Sequence, residues 1–463
     1  MSKVESYEKT KKMSKTRIEQ QNKKLEELLM EDAKSKLDPA VLAKLKSKMG
    51  VVEEAVDEES EEFYQAPTDD VSINFSILGV GQAGSRIAET FFKYGYSVGV
   101  INTSSQDLKF IDIPDDRKLL LNGSLGGTGK DLDLGREIFE ANEDYVDHFI
   151  SKVMSSCDMS YLAISGGGGT GSSSVDTMVN LMYSSGKPVG VIYILPKETE
   201  DAQSKANSIE TLARLAEMAS SNVLSNLIVV DNARIEQIYG GLSQAKFWEV
   251  SNKAIVEPLH VFNNLTATPS KHTSLDPSDF AKIVSVGDCS VYGVIEVEDY
   301  MEETSLAEAV IESLSSNMLA EGFDLKQTRV GGVIITGTKK VLDKLPAINI
   351  NYCYHMISEA TNGASIFQGV YDVHTKSDSV KIYTWFGGLG LPRERIDALK
   401  RESAEQSAVA EEKEKQRAGS MTLDLGVDKT KSVSVEINRK IKKKKSNFGR
   451  LQGTSIIDRR RNK

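Results

Sequence analysis

A glycine-rich run between two apolar segments is the clearest chemical signal in this chain of 463 residues. The run reads Ser165-Gly166-Gly167-Gly168-Gly169-Thr170-Gly171-Ser172, and it follows the strand-like segment Met159–Ile164. Glycines let the backbone turn tightly and point several N–H groups at one phosphate, and the N-terminus of a following helix adds positive potential. A flexible linker is the alternative, but linkers do not usually join a buried strand to a helix. The pattern therefore predicts a cradle for a di- or triphosphate.

Two further glycine turns follow strand-like segments. Gly79-Val80-Gly81-Gln82-Ala83-Gly84 fits G-x-G-x-x-G, but the next strand ends in Asn102-Thr103 instead of the acid that a dinucleotide ribose needs. Gly126-Gly127-Thr128-Gly129 follows a third strand, and Asp131 stands where a P-loop needs a Ser or Thr for magnesium. Three such turns at successive strand ends indicate one ligand with several phosphates, since a dinucleotide pyrophosphate would need only one of them.

The elements that position these turns follow from the spacing of apolar residues. Short apolar runs alternate with amphipathic helices, which is typical of βαβ units and a parallel sheet with its ligand at the carboxyl ends of the strands. The expected strands are Ile73–Leu78, Val98–Ile101, Lys118–Leu121, Tyr161–Ile164, Val189–Leu195 and Leu227–Val230. Beyond them we expect a long helix over about Ser243–Leu265, then strands at Phe280–Ile295, Gly331–Thr336 and Val380–Phe386 with helices near Ser305–Glu321 and Ile350–Ala360.

Composition excludes several classes of protein. The net charge of −10 argues against nucleic-acid binding by the whole surface, and no apolar run approaches the roughly 18 residues of a membrane span. The three cysteines lie far apart, so reduced thiols are expected, and the five histidines show no metal-ligand spacing. We therefore expect a cytoplasmic protein.

The two ends of the chain differ in charge from the rest. Residues 1–70 read as a helical and acidic N-terminal extension, with nine acidic and no basic residues between Val51 and Asp70. Residues from about 396 onward read as a disordered tail, and Arg439–Lys463 holds eleven basic residues against one acidic residue. Such an end could bind DNA, an anionic membrane or an acidic adaptor protein, or could only keep the chain in solution.

The three glycine turns together resemble those of one family. Gly167-Gly168-Gly169-Thr170-Gly171-Ser172 resembles the signature G-G-G-T-G-[ST] of the tubulin and FtsZ superfamily of GTPases, and Gly81-Gln82-Ala83-Gly84 resembles its first loop. Asn102-Thr103 and Gly127-Thr128-Gly129 resemble two further nucleotide-contacting segments of that family. The likeness implies an α/β fold with these parts: extension 1–70, a parallel, Rossmann-like GTP-binding domain 71–242, central helix 243–268, a second and smaller α+β (activation) domain 269–395, and tail 396–463.

The resemblance also assigns the nucleoside half of a GTP or GDP site. Asn232 and Asn252 match base-contacting positions, and an Asn side chain offers guanine both a donor and an acceptor. Glu200 matches the ribose-contacting glutamate of the family. Lys253 departs from the family pattern, because FtsZ-type sequences commonly have Asp there. The predicted preference for guanine therefore depends mainly on the two asparagines.

Two carboxylates supply the predicted chemistry. Ser274-Leu275-Asp276-Pro277-Ser278-Asp279 resembles the N-x-D-x-x-D loop of the family, which reaches the γ-phosphate bound by the neighbouring subunit. Carboxylates can orient and deprotonate a water, and beside an anionic phosphate they need a cation, so Mg²⁺ is expected, with its protein ligands unassigned. The alternative is that Asp276 and Asp279 only start a helix around Pro277.

The resemblance implies a GTPase that polymerises head to tail and hydrolyses GTP to GDP and phosphate between subunits. The implied role is cell division, or the segregation or positioning of DNA, as in plasmid- and phage-type relatives. Two alternatives stay open at this point. One is a tubulin-like scaffold that does not hydrolyse GTP, and the other is a Rossmann-type, dinucleotide-dependent oxidoreductase.

Overall fold

The computed structural model describes residues 70–122 and 126–420. The predicted N-terminal extension up to residue 69 and the basic segment Arg439–Lys463 lie outside the described residues. The strands are β1 Phe75–Val80, β2 Ser97–Asn102, β3 Lys118–Leu120, β4 Met159–Ser165, β5 Val189–Leu195, β6 Asn226–Asp231, β7 Cys289–Val297, β8 Val330–Gly337, β9 Ser365–Asp372 and β10 Val380–Leu389.

The described helices are α1 Gly81–Lys93, α2 Ser105–Lys109, α3 Leu132–Ala141, α4 Glu143–Val153, α5 Gly169–Ser173, α6 Val175–Ser184, α7 Ala202–Ser220, α8 Asn232–Tyr239, α9 Gln244–Ala267, α10 Pro277–Val284, α11 Ser305–Ser315, α12 Lys339–Leu342, α13 Ala347–Ala360 and α14 Arg393–Ser420. Two single turns of 3₁₀ helix lie at Asp115–Arg117 and Leu325–Gln327.

The first six strands form the parallel half of one sheet, in the order β3-β2-β1-β4-β5-β6. Strands β1, β5 and β6 are buried along their whole length, as expected where helices cover both faces. The chain moves outward from β1 in one direction to β2 and β3, and in the other to β4, β5 and β6. A crevice therefore opens between β1 and β4 at the carboxyl edge, where doubly wound sheets bind ligands.

The second half of the sheet continues from β6 in the order β7-β10-β8-β9. Strand β10 is antiparallel to both β7 and β8, whereas β9 is parallel to β8. The rings of Phe262 and Phe280 lie 5.9 and 5.4 Å from that of Trp385 on β10. This aromatic cluster joins α9 and α10 to the second half of the sheet.

Helix α9 links the two edges of the sheet. It begins after Ser243, whose hydroxyl accepts a hydrogen bond from the Lys246 N–H, and its 24 residues span about 36 Å. Near its end Asn263 donates to the Ile73 carbonyl and accepts from the Ile73 N–H, both at 2.9 Å. Because Ile73 precedes β1, the carboxyl end of α9 lies at the amino edge of the parallel strands.

Two predicted segments differ from the structure. Phe280–Val284 belongs to helix α10, and the strand begins only at Cys289, because Pro277 at the first helical position starts a helix that apolar content alone does not reveal. The segment from residue 396 is not tail-like at first, since α14 continues to Ser420. Ile396 and Leu399, one turn apart, are buried in the core, and the charged composition of α14 concealed that spacing.

Two further expectations concern the cysteines and membrane-spanning helices. The three cysteines are buried and form no disulfide. Among residues 70–122 and 126–420, no helix combines the length and apolar character that crossing a membrane requires.

Candidate nucleotide site and acidic loop

The first predicted phosphate turn forms the first turn of α1. Gly81 has φ +74°, and a Cβ there would lie 3.3 Å from the Gly171 nitrogen. Glycine suits this position because it adopts a positive φ readily and has no Cβ to crowd Gly171. Val80 provides no side-chain cap, and the first turn of α1 holds no acid. The N–H groups of Gly81, Gln82 and Ala83 therefore form a helix terminus suited to an anion.

The glycine run after β4 is held in shape by its own hydroxyls. Ser172 Oγ donates to the Gly166 carbonyl at 2.6 Å, and the Thr170 hydroxyl lies 2.8 Å from that of Thr103. Gly166, Gly167 and Gly168 connect β4 to α5, and a Cβ on Gly168 would meet only Ser165 Oγ, at 3.8 Å. The backbone between β4 and α5 therefore leaves room beside Gly168 for a ligand.

The third turn packs directly against this run. A Cβ on Gly169 would lie 2.0 Å from Thr128 Oγ1, so only glycine allows the two turns to approach this closely. Lys130, at the end of the third turn, forms an ion pair with Asp201, the N-cap of α7. The third turn, with Gly127 and Gly129, is thus fixed between the glycine run and α7.

Asn102 is the last residue of β2, and Thr103 begins the turn that follows. Asn102 is buried, its Oδ1 accepts from the Ser104 N–H at 3.1 Å, and its Nδ2 donates to Asp107 at 3.4 Å. Its side chain therefore shapes the turn. Thr103 carries the contact to Thr170 of the glycine run.

Glu200 lies beside the glycine run, at the end of the loop after β5. One carboxylate oxygen accepts from the Lys197 N–H at 2.9 Å, and the other would lie 2.6 Å from a Cβ on Gly167. The structure therefore brings the turns after β1, β2, β3, β4 and β5 together at one edge of the sheet, with Glu200 among them.

The two asparagines lie on neighbouring helices at the same edge. Asn232 is the first residue of α8, and Asn252 lies on α9, against which α8 packs. Trp248 lies one turn before Asn252, so the two side chains share a helix face. The Arg86 guanidinium of α1 lies 5.1 Å from the Trp248 ring, and so does the Lys197 ammonium.

Trp248 is a candidate site residue that the sequence prediction missed. Its contacts place a flat aromatic ring among α1, the loop after β5 and Asn252, where a purine base could stack on it. The spacing of four residues from Asn252 was the available signal. The predicted helix contains both residues, but only the structure shows that their face packs against α1 and the loop after β5.

The acidic loop precedes α10. Asp276 is the N-cap residue of α10, but its side chain makes no capping hydrogen bond, so the helix-start alternative holds for its position only. Asp279 pairs with Lys282 at 2.9 Å. Leu275 is buried and its N–H donates to the Tyr371 hydroxyl at 2.8 Å, which leaves the neighbouring Asp276 exposed at the surface.

The acidic loop and the glycine turns lie at opposite edges of the sheet. The loop follows the carboxyl end of α9, and Phe280 of α10 packs against Phe75, the first residue of β1, at 6.3 Å. Asn252 and Ala267 are separated along α9 by about 22 Å. Asp276 and Asp279 are therefore not brought to the glycine turns of their own chain.

Comparisons with known proteins match both halves of the sheet. Residues 74–240 match the family model described as Tubulin/FtsZ family, GTPase domain, and residues 262–400 match Tubulin/FtsZ-like protein TubZ-like, C-terminal domain. The tubulin-like protein TubZ of Bacillus cereus is 23% identical over 421 residues, covering 84% of this chain and 94% of TubZ. The tubulin-like protein CetZ of Pyrococcus horikoshii is 28% identical over 322 residues, covering 68% of this chain and 85% of CetZ.

Solved structures confirm the predicted fold. The TubZ-Bt two-stranded filament model is similar with a TM-score of 0.70 at 19% identity, covering 77% of this chain and 95% of that one. The GTPγS-form protofilament of Bacillus thuringiensis TubZ gives 0.67 at 20% identity, covering 76% and 95%. Two family models cover most of the described residues in the predicted order, and the oxidoreductase alternative no longer applies. This chain belongs to the Tubulin/FtsZ family.

Proposed function

We propose that this protein binds GTP, assembles head to tail, and hydrolyses GTP at the contact between two subunits. The observation that carries the proposal is the separation of the glycine turns from Asp276 and Asp279 at opposite edges of one sheet. A subunit stacked with its amino edge on the carboxyl edge of another would bring the two halves together. The GTPγS-form and GDP-form protofilaments of TubZ support this arrangement by analogy.

Each half of the site has a defined task. The N–H groups of the turns at Gly81–Gly84, Gly127–Gly129 and Gly167–Ser172 would bind the phosphates. Asn232 and Asn252 would hydrogen-bond the base, with Trp248 stacked on it, and Glu200 would accept from a ribose hydroxyl.

Asp276 and Asp279 of the next subunit would act on the attacking water. Asp276 is exposed and Asp279 already has Lys282 at 2.9 Å, so the second carboxylate carries its own compensating cation. The carboxylates would orient the water and accept its proton.

Within the described residues no three His, Cys, Asp or Glu side chains cluster into a metal site, and Mg²⁺ commonly takes most of its ligands from phosphates and water. When bound, it would neutralise phosphate charge.

Mixing two inactive variants tests the shared site. Asp279→Asn keeps the size of the side chain and should bind GTP while releasing phosphate at least about 100-fold more slowly. Gly168→Asp should not bind nucleotide, because it adds a negative charge to the cradle, yet Gly168 has φ −84° and an added Cβ there has only one neighbour, at 3.8 Å. An equimolar mixture should release phosphate well above the sum of the separate rates, because each variant supplies the half that the other lacks.

The matched control replaces Gly168→Asp with the double variant Gly168→Asp, Asp279→Asn, which supplies neither half and should restore nothing. A mixture that stays inactive although Asp279→Asn binds GTP would contradict the shared site. Wild-type filaments that release no phosphate would instead identify a scaffold that does not hydrolyse GTP. Loss of nucleotide from Asp279→Asn would mean that the loop is wrongly assigned.

For the cellular role we propose segregation or positioning of DNA rather than cell division. The matching C-terminal family model is the TubZ-like one, and a solved relative is described as a type III plasmid segregation TubZ. The basic segment Arg439–Lys463 offers a site for DNA or for an acidic adaptor.

A further inference from the structure

A buried ionic chain connects the C-terminal helix α14 to the nucleotide edge of the sheet. Arg395 Nε lies 2.7 Å from Asp231, and its guanidinium also lies 2.9 Å from Glu402. The other oxygen of Glu402 lies 2.9 Å from Lys205 Nζ on α7. The Lys205 side chain is 1% exposed, that of Asp231 5% and that of Arg395 11%.

One end of this ionic chain contacts the start of α8. Asp231 is the last residue of β6 and the N-cap of α8, and its carboxylate accepts from the Ala233 N–H at 3.1 Å. Asn232, the candidate base-binding residue, lies between these two residues. Burial raises the pKa of the Asp231 carboxyl, and the Arg395 guanidinium opposes that rise. Without Arg395, the buried Asp231 would lose its ion-pair partner, and the cap at the start of α8 would be held less firmly.

The other end of the ionic chain contacts the loop after β5. Lys205 Nζ donates to the Glu198 carbonyl at 2.7 Å, and Arg395 approaches the Pro196 carbonyl at 3.5 Å. Glu200, the candidate ribose-binding residue, lies in the same loop. The two loops assigned to the base and the ribose are thus both tied to α14, through side chains seven residues apart on one helix face.

We propose that Arg395 and Glu402 are positioning residues for the nucleoside half of bound GTP, so that docking of α14 and guanosine binding stabilise each other. The proposal rests on the proposed GTP site but concerns groups that touch no nucleotide. Because coupling free energies are reciprocal, a weakened α14 lowers nucleotide affinity and bound nucleotide tightens α14. The effect is common to GDP and GTP, since both carry the same nucleoside.

Affinities of the full-length chain for GDP and GTP, measured below the assembly concentration, test the proposal. Arg395→Gln should raise both dissociation constants about tenfold or more and by the same factor. Glu402→Gln should act in the same direction and more weakly, because it leaves the Arg395 contact with Asp231. Arg395→Lys should keep part of the affinity, because its ammonium can still pair with one carboxylate. It should not keep all of it, because one ammonium cannot replace the forked guanidinium toward both carboxylates.

The controls are exposed residues of the same helix. Arg401→Gln and Glu405→Gln make the same charge changes outside the ionic chain and should leave both affinities unchanged. Hydrogen exchange gives the reciprocal measurement: GDP should slow exchange of the amides in residues 393–404 of the wild type by several-fold, and not in Arg395→Gln.

The outcomes separate this proposal from the one on which it rests. Unchanged affinities in both Arg395→Gln and Glu402→Gln, with or without a lower Tm, would overturn the positioning role and leave a purely structural contact. A change confined to GTP would also overturn it, because the phosphates would then be involved. A wild-type chain that binds neither GDP nor GTP would refute the GTP site itself.

Discussion

Single residues at the glycine run show how tightly backbone and ligand requirements are combined. Gly169 has no space for a Cβ because Thr128 lies against it, whereas an added Cβ on Gly168 has one neighbour, at 3.8 Å. The first glycine serves packing between two turns, and the second leaves room for a ligand. Two adjacent residues of one type thus have different physical tasks.

Trp248 allows a direct test at the residue scale. The chain has two tryptophans, and Trp385 is fully buried beside Phe262 and Tyr292, so a fluorescence change on adding GDP should come from Trp248. Trp248→Phe should abolish the change and keep most of the affinity. Trp248→Ala should weaken GDP binding by about tenfold, since aromatic stacking of a base contributes about 1–3 kcal/mol.

Trp385→Phe is the matched control and should retain the fluorescence change. If Trp248→Ala bound GDP as tightly as the wild type, Trp248 would not stack on the base, and the base would have to lie elsewhere along α9.

At the scale of elements, α9 holds the glycine turns and the acidic loop, the two halves of the proposed site, apart. Asn263 and His260 fix its C-terminal half to the segments that precede β1 and β2. The Tyr96 hydroxyl lies 3.1 Å from His260 Nδ1, and the Tyr94 ring lies 4.7 Å from the imidazole. Burial lowers the pKa of His260 to about 4.

This joint should make the fold sensitive to acid. Between the ordinary histidine pKa of about 6.5 and about 4, the unfolded chain binds a proton that the folded chain does not, so the free energy of unfolding falls as pH falls. The contribution of His260 to that loss should be about 2 kcal/mol by pH 4.5. Urea unfolding at pH 7 and pH 4.5 should therefore show a smaller acid loss in His260→Asn than in the wild type.

His148→Asn is the control. His148 is exposed on α4, so its replacement should leave the loss of unfolding free energy between pH 7 and pH 4.5 unchanged. Equal acid losses in wild type and His260→Asn would show that other groups cause the acid sensitivity.

At the scale of the whole molecule, the proposed catalytic site requires two copies of the chain. The carboxyl edge of the sheet carries the glycine turns and the amino edge carries Asp276, so one subunit has two unlike ends. Unlike ends of this kind generate open, polar filaments when they meet head to tail. The basic C-terminal segment would then recur along the filament once in every subunit.

That repetition predicts salt-sensitive DNA binding by the filament. Deleting residues 431–463 should leave GTP-dependent assembly and phosphate release unchanged but should remove most DNA from the filament pellet. Lys442–Lys445→Gln should reduce DNA binding in part. It should also make the negative slope of log affinity against log salt shallower by about 3–4, because four lysines no longer displace counterions from the DNA.

Sedimentation with double-stranded DNA across a salt series measures the effect, and filaments without DNA serve as the reference. Equal amounts of DNA in the pellet with and without residues 431–463 would contradict the role of the basic segment and weaken the proposed function in DNA segregation.

The sequence by itself determined where the short segments capable of this chemistry lie. Glycines at the ends of apolar runs predicted the phosphate turns, because backbone freedom and N–H orientation are properties of a few consecutive residues. The same holds for Asp276-Pro277, since proline at the first helical position is a local signal. The order of these segments also indicated the family, which the comparisons confirm.

Only the tertiary structure decided which distant residues meet. Asp231 and Arg395 are 164 positions apart, and nothing in the charged sequence of α14 distinguishes Arg395 from its exposed neighbour Arg401. The position of Trp248 against Arg86 and Lys197 depends in the same way on the packing of α9. Such contacts arise from burial and long-range pairing, which no short window of sequence contains. For that reason the sequence alone predicted the cradle and the acidic loop, and the fold placed them at opposite edges of the sheet.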